Sequence, residues 1–74
     1  MTAYKNLPGV GRVPAIMAKD LLPGTVVLLP YKGRAFVASI ARGLKVVHLH
    51  LRGVETAFRV NVWKRNRSLV AVER

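Results

Sequence analysis

Alternation of apolar and polar residues is the clearest pattern in this chain, and it is strongest between Lys45 and Arg65. Successive side chains of a β-strand point to opposite faces, so the pattern predicts two strands joined by a turn at residues 52–55. One face of this pair collects apolar residues only: Val47, Leu49, Leu51, Phe58, Val60 and Val62. We expect that face to pack on the core of the protein.

The opposite face of the same two strands is polar and cationic, and we call it the basic face. It carries Val46, His48, His50, Arg52, Ala57, Arg59, Asn61, Trp63 and Arg65. Trp63 is the only tryptophan of the chain. Large aromatic side chains usually lie in the core, so a tryptophan among cations indicates a surface that contacts a polyanion.

Three further segments have the β-branched and aliphatic composition of strands, namely residues 25–31, 34–42 and 68–73. In the second of them, the alternation predicts Phe36, Ala38 and Ile40 on one face and Val37 and Ser39 on the other. Turns are expected at residues 22–24, 32–33, 42–44 and 64–67, where glycine, proline or polar residues cluster. Five short, regularly spaced strands are typical of an all-β barrel that is partly closed to remove its edges.

The first part of the chain lacks this alternation. Residues 1–19 contain Pro8, Gly9 and Gly11, and we predict an irregular N-terminal arm there, followed by a barrel domain at residues 20–74. Residues 12–22 permit either a short helix beginning near Pro14 or an extended segment, and we favour the extended segment.

Composition limits the classes of protein that fit. The chain has 74 residues, enough for one domain, and no cysteine. Disulfides, thiolate metal sites and a thiol nucleophile are therefore excluded. The apolar runs are too short to span a bilayer and the N-terminus lacks the apolar segment of a signal peptide, so we expect a soluble cytoplasmic protein with no membrane partner.

The charge of the chain is strongly positive. Thirteen lysines and arginines oppose only Asp20, Glu55 and Glu73, which gives a net charge of +10. Self-repulsion at this density opposes compaction, and such a balance is typical of proteins that bind nucleic acid. Solubility or an acidic protein partner would also account for it.

A resemblance to a known fold supports the barrel. The segment at residues 20–27, DLLPGTVV, is followed by a bend and by FVASI at residues 36–40. This arrangement resembles the opening of SH3-like small β-barrels, including KOW and Tudor-type barrels, in which a Pro-Gly turn introduces the first strand. At the level of pattern the resemblance covers residues 20–73, and Lys32-Gly33-Arg34 supplies part of the KOW bend. It implies a five-stranded antiparallel SH3-like barrel and assigns no functional residue.

These observations predict a small basic protein that binds DNA or RNA mainly through phosphates, with aromatic stacking in addition. The predicted phosphate contacts are Arg52, Arg59, Lys64, Arg65 and Arg67, of which Lys64 and Arg67 are placed in the turn that follows the second strand. Trp63 and His48 are predicted to stack on bases, and Asn61 and His50 complete the interface. The competing interpretation is that the N-terminal arm covers Trp63 and that the cations are merely solvated.

Other chemistries have weaker support. The spacing of His48 and His50 is one that zinc ligands use, but the chain has few further ligands, so we predict no metal and no cofactor. Two serines and three scattered carboxylates do not suggest a catalytic set, and we predict a protein that is not an enzyme.

The alternative function is a protein-interaction or assembly module, of the kind that viruses and mobile elements encode as accessory proteins. Such a module would form a homo-oligomer through its strand edges or bind an acidic host protein.

Overall fold

The computed structural model describes residues 3–73, and its regular structure is β apart from one 3-10 turn. The strands are β1 (Ala3–Leu7), β2 (Gly11–Met17), β3 (Val26–Leu29), β4 (Gly33–Arg42), β5 (Val46–Gly53), β6 (Arg59–Arg65) and β7 (Leu69–Ala71), and the 3-10 turn is Ala18–Asp20. They form two antiparallel sheets, with the orders β1-β2-β7 and β3-β4-β5-β6. The all-β class is confirmed. Within the described residues, no helix is long and apolar enough to cross a membrane.

The N-terminal segment differs from its prediction. The five predicted strands correspond to β3 to β7, but residues 3–17 form the additional hairpin β1–β2 instead of an irregular arm, so the strand count of five is wrong. Gly9 supplies the positive φ that the hairpin turn requires. β2 is held in the sheet on its other side by the far end of the chain, because Ala15 pairs with Ala71 of β7. The preference for an extended segment over a helix is confirmed for residues 12–17, and residues 18–20 form the 3-10 turn.

The two sheets meet but do not close into a barrel. A single bridge joins Val27 of β3 to Val72, and the Glu73 amide donates a hydrogen bond to the Val26 carbonyl. β7 has only three residues, which is too short to pair with β3 along its length. The molecule is correspondingly flat, with extents of 32 × 31 × 17 Å.

The main core lies under β5. Val47, Leu49 and Leu51 are each at most 2% exposed, and the predicted apolar residues Phe58, Val60 and Val62 pack against their cluster. The predicted core face of this strand pair is therefore confirmed. A second, smaller cluster joins Leu7, Val13 and Ala71 and secures the N-terminal hairpin.

A β-bulge in β4 changes which residues face the core. The pairing with β5 shifts between Val37 and Ser39. Before the bulge Ala35 and Val37 are buried, whereas after it Ile40 packs against the core. The prediction that Phe36, Ala38 and Ile40 share one face is wrong, because one extra residue reverses the alternation. As a result, Ser39 lies opposite His50 on the basic face.

Two leucines that differ in exposure provide a test of the position of the core. Leu49 is 1% exposed and Leu44 is 99% exposed. We expect Leu49→Ala to lower the free energy of unfolding by about 2–5 kcal/mol because it leaves a cavity. The matched control Leu44→Ala should change it by less than about 0.5 kcal/mol. Urea unfolding followed by circular dichroism measures both, and equal losses would contradict this core.

Candidate nucleic-acid interface

The register of β5 and β6 brings the residues of the basic face together in pairs. His48 lies opposite Trp63, His50 opposite Asn61, Arg52 opposite Arg59, and Val46 opposite Arg65. All the predicted site residues except Lys64 and Arg67 thus share one surface. β4 extends this surface with Ser39 and Ala41, which pair with His50 and His48.

An aromatic stack occupies the centre of the basic face. The indole of Trp63 lies on the imidazole of His48, with ring centroids 4.2 Å apart and planes 9° from parallel. The His50 ring follows at 4.5 Å from His48, tilted by 42°. Trp63 is nonetheless 66% exposed. The described residues of the N-terminal segment do not cover it, so the indole is both held in position and accessible to a ligand.

The neighbouring pair His50 and Asn61 is oriented by a hydrogen bond. His50 Nδ1–H donates to Asn61 Oδ1 at 2.7 Å. In the neutral ring this arrangement leaves His50 Nε2 as an acceptor, while Asn61 Nδ2 remains a donor. The pair therefore presents one acceptor and one donor beside the aromatic stack.

Two arginines face each other at the end of the strand pair, and we call Arg52 and Arg59 the arginine pair. Like charges directly opposite one another on antiparallel strands destabilise a sheet. Across residues 3–73 the only ion pairs are those of Arg34, with Glu55 at 2.5 Å and with Glu73 at 2.7 Å. The arginine pair thus has no carboxylate partner in this part of the chain, and an anion placed between the two guanidinium groups would relieve their repulsion.

Arg34 takes up most of the negative charge of the chain. Its hydrogen bond to Glu55 raises the pKa of the guanidinium above its ordinary value, and the hydrogen bond to Glu73 acts in the same direction. Glu55 and Glu73 are two of only three carboxylate side chains. The other twelve lysines and arginines have only Asp20 as a further carboxylate side chain to balance them, so the molecule as a whole stays strongly positive.

The arginine pair separates two clefts. The first, of about 310 Å³, lies at the β4 bulge, and we call it the bulge cleft. The second, of about 450 Å³, is bordered by Phe36 and Phe58. The residues that line the bulge cleft include Ala38, Ser39, His50, Arg52, Arg59 and Asn61. Arginines at the rim of a partly polar cleft suit a ligand that combines negative charge with a planar ring.

Lys64 and Arg67 lie away from the basic face. β6 continues through Arg65, so the prediction that Lys64 lies in the turn is wrong. Lys64 pairs with Val47, and its side chain therefore belongs to the opposite face of the sheet. Arg67 does lie in the turn, where it lines a groove of about 440 Å³ together with Lys19, Lys45 and Arg65. This groove extends the positive surface beyond the end of β6.

Sequence reasoning missed Ser39, Lys19 and Lys45 as members of the positive surface. Lys19 and Lys45 carry the right charge, but separate contacts with Asn66 bring them to Arg67. The Lys19 amide donates to the Asn66 carbonyl at 3.0 Å, and the Asn66 amide donates to the Lys45 carbonyl at 2.9 Å. Ser39 lies on the basic face only because the bulge shifts its pairing to His50. The adjacent small residues Ala38 and Ser39 are its only visible sign in the sequence.

The histidine pair does not form part of a metal-binding cluster. In the described part of the chain, no three His, Asp or Glu side chains come close enough together to hold a metal ion. His48 instead stacks on Trp63 and His50 bonds to Asn61.

Comparisons of this chain with protein-family models, with curated proteins and with solved structures give no match.

The repulsion within the arginine pair leads to a test of stability. Arg59→Glu places a carboxylate opposite Arg52, and we expect it to raise the free energy of unfolding by about 0.2–1 kcal/mol. The control is the same substitution in an Arg52→Gln background, where the net charge changes equally but no cation lies opposite residue 59. Urea unfolding at low salt should show the larger gain when Arg52 is present. An equal gain in both backgrounds would mean that only net charge matters.

Proposed function

We propose that the protein binds nucleic acid through its basic face, mainly by contacts to phosphates. The observation that carries this proposal is an exposed tryptophan, stacked on His48, on a surface whose arginines have no carboxylate partner in residues 3–73. Arginines contact phosphates, and an indole stacks on any base. This combination favours a binding protein over an enzyme.

The cations are distributed along a path that suits a polynucleotide. Arg59, Asn61, Trp63 and Arg65 are alternate residues of one strand, so they form a row about 20 Å long. The arginine pair stands at one end of this row. Arg65 and Arg67, with Lys19 and Lys45, stand at the other. A single-stranded nucleic acid bound along β6 would contact cations at both ends of the row and the aromatic stack between them.

The order of the strands also bears on the type of fold. β3 to β6 form a meander, and Val72, just beyond β7, returns to bridge Val27 of β3. We infer from this order that β3 to β7 form an SH3-like unit that stays open, with the β1–β2 hairpin added at β7.

The second candidate function, an assembly module, is supported by the outer edges of the two sheets; the other two edge strands, β3 and β7, meet through the Val27–Val72 bridge. β1 and β6 each have a hydrogen-bonded neighbour on one side only. The β6 edge carries Arg59, Lys64 and Arg65, and charges at an edge oppose pairing with a second copy of the same strand. This edge therefore favours an acidic partner over self-association.

A salt titration tests the phosphate contacts. Fluorescence anisotropy with labelled single-stranded DNA, single-stranded RNA and duplex DNA should show affinity that falls steeply as salt increases. We expect Arg65→Gln to reduce the slope of log K against log salt by about 1. Lys64→Gln removes the same charge from the opposite face of β6 and should leave the slope unchanged. Equal effects of the two substitutions would indicate attraction by net charge alone.

The role of Trp63 is tested in the same assay. Trp63→Ala should weaken single-strand binding by about 1–3 kcal/mol, because a stacked base loses its platform. Circular dichroism and urea unfolding check that the variant is folded. Unchanged affinity in a folded variant would remove Trp63 from the interface, and no binding by the wild type at low salt would contradict the proposed function.

A further inference from the structure

We propose that the bulge cleft holds one unpaired nucleobase, so that the basic face binds single strands in preference to duplexes. This inference rests on the proposed function and adds a class of ligand to it. A flat cationic surface would bind any polyanion. The bulge cleft adds a concave, partly polar site between the arginine pair and the aromatic stack.

The bulge creates the space for the base. Ala38 is the extra residue of β4, and both it and Ser39 are exposed and small. Across the sheet, the side chains of His50 and Asn61 stand on the same surface as Ser39. Small side chains on one strand opposite longer ones on its neighbours leave the opening of about 310 Å³, which accommodates a nucleobase.

The polar groups around the cleft suit the edge of a base. The hydrogen bond with Asn61 leaves His50 Nε2 as the acceptor of its neutral ring. Within residues 3–73, neither the Ser39 hydroxyl nor Asn61 Nδ2 has a hydrogen-bond partner. Uncharged donors and acceptors recognise base edges, whereas the guanidinium groups at the rim are suited to the phosphates on either side.

The position of Trp63 also favours binding of single-stranded over duplex nucleic acid. Asn61 and Trp63 are alternate residues of β6, about 6.5 Å apart along the strand. One base can stack on the indole while a neighbouring base enters the bulge cleft. In a duplex the bases are stacked and paired, so neither contact can form unless a base leaves the helix.

The test compares single strands that differ only in their bases. Labelled 12-nucleotide strands of adenine, cytosine or thymine, an abasic strand of equal length and a duplex are titrated with the full chain. We expect single strands to bind more tightly than duplex or abasic strand, and one base to be preferred by about threefold or more. Asn61→Ala should lower affinity for the preferred strand by about 3- to 10-fold and remove the preference, with the salt slope unchanged.

A second variant fills the cleft without removing a polar group. Ala38→Leu should abolish the preference among bases while leaving duplex binding as it is. The matched control is Ala41→Leu, which adds the same side chain to the exposed surface of β4 opposite His48. We expect this control to retain the preference.

The outcomes separate this inference from the proposed function. Equal affinity for the three bases and the abasic strand, with salt-dependent binding retained, would overturn the base site and leave phosphate binding intact. Tighter binding of duplex than of single strands would overturn it as well. No binding of any strand at low salt would overturn both proposals.

Discussion

The pairing of β5 with β6 couples the core of this protein to its exposed chemistry. Val47, Leu49 and Leu51 are buried by the same register that turns His48, His50 and Arg52 outward to meet their partners on β6. A shift of one residue would exchange the two sets, exposing leucines and burying arginines. The energy of burying the aliphatic side chains therefore holds the aromatic stack and the arginine pair in place. The basic face needs no separate scaffold.

This arrangement also brings two like charges together. Arg52 and Arg59 face each other and neither forms an ion pair within residues 3–73, whereas Glu55, in the turn between their strands, pairs with Arg34. Two guanidinium groups in this position weaken the sheet, and an anion between them would turn repulsion into attraction. Departures from local rules of this kind are more common at functional sites than elsewhere. The arginine pair and the exposed Trp63 are two such departures on one surface.

Much of this surface could be predicted from the sequence because alternation along a strand is a local property. The pattern from Val46 to Arg65 was sufficient to separate the core residues from Trp63 and its neighbours. The remaining features depend on contacts between distant parts of the chain. The β1–β2 hairpin is stabilised by β7, and Lys19 joins the cations near Arg67 only through the packing of the 3-10 turn. The bulge at Ala38 inserts one residue without a distinctive sequence signal, so alternation alone predicts the wrong faces for β4 on one side of the bulge.

Nuclear magnetic resonance tests the basic face most directly. Amide and indole shifts of the labelled protein would be followed as an unlabelled single-stranded oligonucleotide is added at low salt. We predict that the largest changes occur at the Trp63 indole N–H and at residues of β5, β6 and the β4 bulge, with little change at Tyr4 or Arg12 in the other sheet. Changes centred on β1 and β2, or none at saturating oligonucleotide, would contradict the account.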